Sequence, residues 1–189
     1  MTFEQDINNA VAALRRGGVI LYPTDTVWGI GCDATDPTAV RRVFEIKRRA
    51  DSKALITLVA DVADIGRYSA VSPSTVLAII GRSERPTTVV YPGGCGLAPE
   101  LLAEDGSVGM RVTGELVSAS ICRAFGKPLV STSANISGQP ATGIYCEISK
   151  EIIDAVDYVV EARRDDCSRS MPSRVIKINA DGSVITLRS

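Results

Sequence analysis

The sequence predicts a single α/β domain. Apolar, β-branched runs that are typical of buried strands alternate along the chain with amphipathic stretches at helical spacing. A length of 189 residues suffices for one domain with a sizeable core and is marginal for two. No internal repeat, low-complexity segment or interdomain linker interrupts the alternation. We therefore expect residues 1–189 to form one domain.

The composition bounds the class of protein. A hydrophobic content of 45% with 23% charged residues is typical of soluble globular proteins. A formal net charge of -1 argues against a strongly basic nucleic-acid binder, although it allows a local basic patch. We find neither an apolar run of ~20 residues nor the positive start and apolar core of a signal peptide. The sequence therefore predicts a cytoplasmic protein without a membrane segment.

Cysteine and histidine usage restricts the chemistry further. The five cysteines are scattered, odd in number and without a C-x-x-C pair, which predicts reduced thiols rather than a disulfide framework or a zinc site. The complete absence of histidine removes the usual general base, the Ser-His and Cys-His nucleophiles and most transition-metal sites. Any reaction must use lysine, arginine, carboxylates, hydroxyls and backbone dipoles.

The first elements surround a loop of unusual composition. Thr2 and Gln5 have the spacing of a capping box, which predicts a helix that ends at the glycine pair 17–18. Residues 19–22 predict a buried strand, which Pro23 ends. Residues 23–34 then predict a loop rich in hydroxyls and glycine, the kind of segment in which α/β proteins place ligands. A tight turn whose threonines satisfy backbone groups explains the same residues equally well.

A group of cations follows the second predicted helix. Asp36 and Pro37 predict the start of this helix at 37–47, and residues 54–59 predict the next strand. In an extended junction, Lys47 and Arg49 would point to the same side, with Lys53 at the entry to the strand. A solvated charge run is the alternative, and spacing alone favours it.

The rest of the chain follows the same patterns. Helices are predicted at 73–80, 115–125 and 147–156. Strands are predicted at 87–91, 108–112, 129–132, 158–160, 173–178 and 183–188, the last two as a hairpin. The segments 92–99 and 161–171 predict loops, and the first lacks the ending of a P-loop.

Two of these segments point to a ligand. In strand 108–112, alternation places Gly109 and Arg111 on the face opposite the apolar residues, which indicates either an anion contact or a snorkelling surface arginine. Residues 131–137 carry five hydroxyl or amide side chains within seven positions. So dense a hydrogen-bonding surface favours a ligand site over a serine-rich turn.

Five segments in order resemble one family. They are PTDTVWGIGCDA (23–34), K-x-R (47–49), S-V-G-M-R (107–111), STSANISG (131–138) and Pro172-Ser173. Together they resemble the YrdC/TsaC family, the threonylcarbamoyl-AMP synthases of tRNA modification. The pairing of K-x-R with Ser133 and Asn135 favours the synthases over the related YciO-type paralogues. The resemblance implies one twisted mixed-sheet α/β domain with a positively lined concave cavity and without the extra C-terminal domain of longer members.

The resemblance also implies a reaction. Such a synthase is a nucleotidyltransferase that joins L-threonine, bicarbonate or CO2, and ATP with Mg²⁺ into threonylcarbamoyl-AMP and pyrophosphate. The threonine amine attacks CO2, and the carbamate oxygen then displaces pyrophosphate from the α-phosphorus. Because positioning and charge stabilisation drive that step, the absence of histidine is no obstacle. The implied partners are tRNA threonylcarbamoyl-transferase proteins, with RNA or tRNA as a further ligand.

Site residues follow by resemblance alone. Lys47 and Arg49 are the catalytic candidates, and no metal ligand is implied. The L-threonine contacts would be Thr26, Arg111, Ser131 and Ser173. The ATP contacts would be Lys47, Arg49, Lys53, Ser107, Ser133, Asn135, Arg169 and Arg188. Three departures bear on the pocket: only Pro86 and Thr88 fit the family's W-P-G-P-x-T segment, a histidine frequent after the R-x-P/T strand is missing, and Ala50 stands where proline is frequent.

Two rival functions remain open. A non-catalytic RNA-binding module is indicated by the basic residues Arg41, Arg42, Lys47, Arg48 and Arg49, against which stand few aromatics and a net acidic chain. A dinucleotide oxidoreductase is indicated by Gly29-x-Gly31-x-x-Ala34. That pattern lies several residues beyond the strand, and Pro37 interrupts the helix it requires.

Overall fold

The computed structural model describes residues 1–48, 55–81, 83, 85–179 and 181–189. The helices in these ranges are α1 Phe3–Arg15, α2 Pro37–Ile46, α3 Val62–Tyr68, α4 Pro73–Ile80, α5 Leu116–Phe125 and α6 Lys150–Ala155. The strands are β1 Ile20–Tyr22, β2 Gly29–Gly31, β3 Ile56–Val59, β4 Thr87–Tyr91, β5 Val108–Val112, β6 Leu129–Ser133, β7 Tyr158–Val159, β8 Arg174–Ile178 and β9 Val184–Arg188. Short 3₁₀ helices lie at Pro99–Leu101 and Tyr145–Glu147.

The strands form a mixed sheet. Their order is β7-β1-β2-β6-β3-β5-β4-β8-β9. The pairs β1/β7, β3/β5 and β4/β8 are parallel, and the other neighbours are antiparallel. The predicted mixed α/β sheet is confirmed. No helix in the described ranges is long and apolar enough to cross a membrane.

Two predicted elements need correction, and one helix was not predicted. The segment 23–34 is not one loop, because β2 lies within it and pairs with β1 on one side and β6 on the other. Two of its three residues are glycines, which have low strand propensity, so pairing with β1 and β6 makes this segment a strand. The helix α3 was not predicted, since it is one short element that buries only Ile65. The helix predicted at 147–156 is shorter, Lys150–Ala155, and a separate 3₁₀ turn precedes it.

Predicted helix starts agree with the structure. Thr2 and Gln5 form the reciprocal capping box of α1. Asp36 caps α2 through the backbone N–H groups of Thr38 and Ala39. Because caps depend on local chemistry, short sequence patterns predict them well.

Three apolar clusters pack against the sheet and its helices. One, which includes Ile30, Val43 and Phe44, joins β2 to α2. A second joins α1 and α5 to β1, and the third covers the part of the sheet that contains β4, β5 and β8. Val108 and Met110 belong to the third cluster, which confirms the predicted alternation of β5 and leaves Gly109 and Arg111 on its other face.

Asp6 ties α1 to the segment after β7. Its carboxylate accepts hydrogen bonds from the Tyr158 hydroxyl (2.7 Å), the Glu161 N–H (2.9 Å) and the Ala162 N–H (2.8 Å), and the residue is 2% exposed. We expect Asp6→Ala to lower the free energy of unfolding by about 3 kcal/mol, because two backbone donors lose their partner. Urea denaturation measures this, with exposed Glu4→Ala as the control. An unfolding midpoint equal to that of the control would contradict the expectation.

The strand β9 forms one edge of the sheet. It pairs with β8 on one side only, and all five of its residues are exposed. Its last residue, Arg188, nevertheless reaches back over β8 toward the middle of the fold. The edge strand therefore contributes a side chain to the region described next.

Candidate active site

A cavity of about 230 Å³ collects residues from distant parts of the chain. Its walls come from the segment between β1 and β2, the start of β3, β5, β6 and the strand pair β8/β9. The lining residues are Thr24, Thr26, Val27, Gly29, Leu55, Ile56, Arg111, Ser131, Thr132, Ser133, Ala141, Pro172, Ser173 and Arg188. Six residues predicted from the resemblance are thus brought together here.

Arg111 is the most deeply buried charge at this cavity. It is 2% exposed, and its Nη2 lies 2.9 Å from Oδ1 of Asp25. Nη2 also donates to the Thr26 hydroxyl (3.3 Å) and Nη1 to the Thr88 hydroxyl (3.5 Å). Burial lowers the pKa of Arg111 and raises the pKa of Asp25, and their mutual attraction offsets only part of each shift. The guanidinium remains charged, because arginine does not lose its proton in proteins.

A chain of hydroxyl contacts links Arg111 to the edge of the sheet. The hydroxyls of Thr88 and Ser173 are 2.9 Å apart, and both residues are buried. Arg188 donates from Nη2 to the Ser173 carbonyl oxygen (2.8 Å) and to its hydroxyl (3.2 Å). Two arginines on separate strands therefore share one connected polar network.

The segment after β1 holds its own hydroxyls in place. The Thr24 hydroxyl accepts from the Thr26 N–H (3.1 Å) and donates to the Val27 carbonyl oxygen (2.7 Å). Arg163 donates to the Thr24 carbonyl oxygen (3.3 Å) and so ties the segment 161–171 to this turn. At Gly29, a Cβ would meet the Ser131 hydroxyl at 3.3 Å, so the glycine leaves the cavity open.

Lys47 lies behind the cavity rather than in its lining. It is 2% exposed, and its ammonium donates to the carbonyl oxygens of Ser133 (2.5 Å) and Asn135 (2.7 Å). It therefore holds the turn that follows β6. The Asn135 amide donates to the carbonyl oxygens of Ile136 (3.0 Å) and Gln139 (2.7 Å) and stabilises the same turn.

The other predicted site residues lie apart from the cavity or outside the described ranges. The Ser107 hydroxyl donates to Asp105 (2.5 Å). Arg169 forms an ion pair with Glu147. Arg49 and Lys53 lie outside the described residues, and with them the predicted Lys47–Arg49 pair.

A second cavity of about 230 Å³ lies at the far end of β3. It is bounded by α3 and the end of α5. None of the predicted substrate-binding residues that the structure describes lines it. Size alone therefore does not distinguish the two cavities, and the clustering of the predicted residues identifies the first as the candidate site.

The structure also bears on the two rival functions. The side chains of Arg41 and Arg42 pair with Glu100 and Asp157, and Arg48 pairs with Glu151. These carboxylates compensate three of the five cations on which the RNA-binding hypothesis depends. Residues 29–31 form β2 and not the turn that opens a dinucleotide-binding helix, so the oxidoreductase interpretation is wrong.

Asp25 and Thr88 contact Arg111 but were not predicted as site residues. In the sequence, Thr88 matches a family segment and Asp25 lies within another, and neither match assigns a role to the residue. Their contacts cross from one strand to another, so no spacing along the chain signals them. The nearest signal was the isolated arginine on the polar face of β5, which requires a buried partner.

The Sua5/YciO/YrdC family model, described as "Telomere recombination", matches residues 12–189. A protein of Stenotrophomonas maltophilia (strain K279a) named threonylcarbamoyl-AMP synthase is 33% identical over 174 residues, which cover 90% of this chain and 94% of that protein.

Two solved structures share the fold. Sua5 of P. abyssi, crystallised with L-threonine, gives a TM-score of 0.84 at 23% identity, with 96% of this chain matched to 53% of that chain. E. coli YciO gives a TM-score of 0.84 at 26% identity. The match covers all of this chain and 90% of the YciO chain. This chain thus spans about half of the Sua5 chain but nearly all of the bacterial relative. By its family-model match and its identity to that relative, the chain belongs to the Sua5/YciO/YrdC family.

Proposed function

We propose that the protein is a threonylcarbamoyl-AMP synthase that acts for threonylcarbamoyladenosine modification of tRNA. Its substrates would be L-threonine, bicarbonate or CO2, and ATP, and its products threonylcarbamoyl-AMP and pyrophosphate. The observation that carries this proposal is the buried Arg111 surrounded by hydroxyls in a cavity of amino-acid size. The similarity to a relative named for this activity supports it.

The cavity suits a small hydroxy amino acid. The guanidinium of Arg111 would bind the threonine carboxylate, for which its planar fork of donors is matched. The hydroxyls of Thr26, Ser131 and Ser173 would satisfy the substrate's polar groups, since each can donate or accept. The apolar side chains of Val27, Leu55 and Ile56 would exclude water from the rest of the pocket.

The chemistry needs little acid–base help from the protein. The threonine nitrogen forms a bond to the CO2 carbon and releases a proton, which gives a carbamate. A carbamate oxygen then forms a bond to the α-phosphorus of ATP as the bond to pyrophosphate breaks. Fixed positive charge would stabilise the charge that develops on phosphate oxygens.

The nucleotide would extend from the cavity toward the turn after β6. Ser133 and Arg188 line the cavity, whereas Asn135 and Lys47 shape the adjoining turn. We propose that Lys47, Ser133, Asn135 and Arg188 act on the ATP side, together with Arg49, Lys53, Ser107 and Arg169. Ser107 and Arg169 would have to leave their present carboxylate partners to do so.

Magnesium would enter with the nucleotide. Within the described residues, no group of three or more Cys, Asp or Glu side chains is arranged to hold a metal ion. Mg²⁺ bound mainly through substrate phosphates and water does not require such a group. Mg²⁺ would therefore bind as part of the ATP substrate.

Downstream, the product would pass to tRNA threonylcarbamoyl-transferase proteins in the cytoplasm. Threonylcarbamoyl-AMP is a mixed anhydride that hydrolyses, so direct transfer to a partner protein would protect it. The alternative is an RNA-binding protein of this fold without synthase activity. The carboxylate pairing of Arg41, Arg42 and Arg48 weakens that alternative.

The test is pyrophosphate release from ATP and Mg²⁺, with and without L-threonine and bicarbonate. We expect release only when both co-substrates are present. Absence of release in every combination, with salt-dependent RNA binding, would replace the proposed function by the RNA-binding alternative. Release with either co-substrate missing would indicate a different adenylation.

A further inference from the structure

Asp25 contacts the candidate active site from behind. It lies between two cavity-lining threonines, Thr24 and Thr26, yet is not part of the lining. Its side chain is 14% exposed and borders a separate cavity formed in part by Ser83, Arg85 and Thr87. The Arg111 guanidinium therefore has the substrate cavity on one side and a carboxylate on another.

We propose that Asp25 is a positioning residue that fixes the orientation in which Arg111 receives the carboxylate of an amino-acid substrate. This inference rests on the proposed function and deepens it, because it names a residue that acts on the amino acid through another side chain. Asp25 itself makes no contact with the substrate.

Asp25 is the closest partner of the Arg111 guanidinium. Among the described residues, the two hydroxyls that Arg111 reaches are at 3.3 and 3.5 Å, which are long for hydrogen bonds. Its Nε is buried and has no hydrogen-bond partner there. Oδ1 of Asp25, at 2.9 Å, is the closest partner of Arg111 and its one charged partner among the described residues, and the contact is an ion pair without hydrogen-bond geometry. Without it, little holds the guanidinium in one orientation.

Asp25 also compensates the buried charge of Arg111. A guanidinium that is 2% exposed needs an opposite charge nearby, because burying an isolated ion is costly. Asp25 Oδ1 contacts Nη2, and Nη1 makes a long hydrogen bond of 3.5 Å to the Thr88 hydroxyl, a neutral group that a substrate carboxylate could replace. The pair therefore keeps the cation buried in the absence of substrate and leaves donors for a second carboxylate.

Two variants test the role. Asp25→Asn keeps the size of the side chain and removes its charge, whereas Asp25→Glu keeps the charge. The matched control is Asp33→Asn, since Asp33 is also a buried carboxylate paired with a cation, Lys127 at 2.6 Å, outside the cavity. Thermal unfolding of each variant verifies that the compared proteins are folded.

The readouts separate positioning from a general structural effect. We measure KM for L-threonine and for ATP by pyrophosphate release, and Kd for L-threonine by calorimetry. We expect Asp25→Asn to raise KM and Kd for L-threonine about tenfold or more, with KM for ATP within about twofold of the original protein. Asp25→Glu should recover part of the threonine affinity, and Asp33→Asn should leave it unchanged. Equal increases in both KM values, or no increase, would overturn the proposal.

A ligand without the amine excludes a direct contact. 3-Hydroxybutyrate keeps the carboxylate and hydroxyl of threonine, and its affinity is measured by competition with L-threonine. If Asp25 acts through Arg111, Asp25→Asn weakens both ligands by the same factor. Weakening of L-threonine alone would mean that Asp25 binds the substrate ammonium, which contradicts the proposal.

The two proposals fail in different ways. If the wild-type protein binds L-threonine but releases no pyrophosphate, the synthase function is overturned. The calorimetric comparison of the variants would still decide the role of Asp25. If the wild-type protein binds neither L-threonine nor 3-hydroxybutyrate, both the synthase function and the role of Asp25 are overturned.

Discussion

Replacing Arg111 by lysine is expected to reduce kcat/KM for L-threonine by roughly a hundredfold, the loss that follows from removing a charge-assisted hydrogen-bonded pair. Lysine keeps the positive charge beside Asp25, so the buried carboxylate retains a partner. It lacks the planar fork that would grip a second carboxylate while Asp25 occupies Nη2. The variant should therefore fold and bind the amino acid poorly.

The measurement is the dependence of pyrophosphate release on L-threonine concentration at saturating ATP. The control is Arg123→Lys, because Arg123 pairs with Asp61 on the surface and is not part of the substrate cavity. We expect this control to match the original protein. If kcat/KM of the Arg111→Lys variant equals that of the control, Arg111 does not bind the amino-acid substrate.

Gly31→Ala is expected to lower the free energy of unfolding by about 4 kcal/mol or more, an exceptional loss that overpacking against rigid backbone can produce. A Cβ at Gly31 would lie 2.1 Å from the Val130 carbonyl oxygen and 2.7 Å from Cε1 of Tyr22. Both neighbours belong to the buried core, and the first is backbone. Relief of the clash requires β6 to move away from β2, which breaks the pairing between them.

Urea denaturation of Gly31→Ala measures this cost. Gly109→Ala is the matched control, because its Cβ would meet only Ile56 and Thr88 side chains, at 3.5 and 3.8 Å. Both glycines lie in strands of the same sheet, so intrinsic strand propensity cancels in the comparison. Equal unfolding midpoints for the two variants would contradict the structural argument.

Much of the fold was predictable because its signals are local. The caps at Thr2 and Asp36, the strand limits of β4 and β5, and the alternation within β5 follow from chemistry within a few residues. The short strand β2 was not predictable in this way. Two of its three residues are glycines, and only the neighbouring strands β1 and β6 make it extended.

The residues of the candidate site were likewise predictable only in part. Resemblance to a family identified Thr26, Ser131, Ser173 and Arg111, all of which line the cavity. It also named Lys47, whose ammonium the structure places on backbone carbonyls behind that cavity. Asp25 was missed as a site residue because its partner lies 86 positions away in the sequence, and charge pairing across that distance leaves no local pattern.

The edge strand β9 has a consequence for protein synthesis. A ribosome that has made β1 through β8 has produced most of the cavity wall, but Arg188 arrives only with β9. Ser173 then gains the guanidinium that holds its carbonyl oxygen and hydroxyl. A nascent chain that stops before β9 therefore cannot form the complete cavity, so the proposed activity would begin only after this strand has joined the sheet.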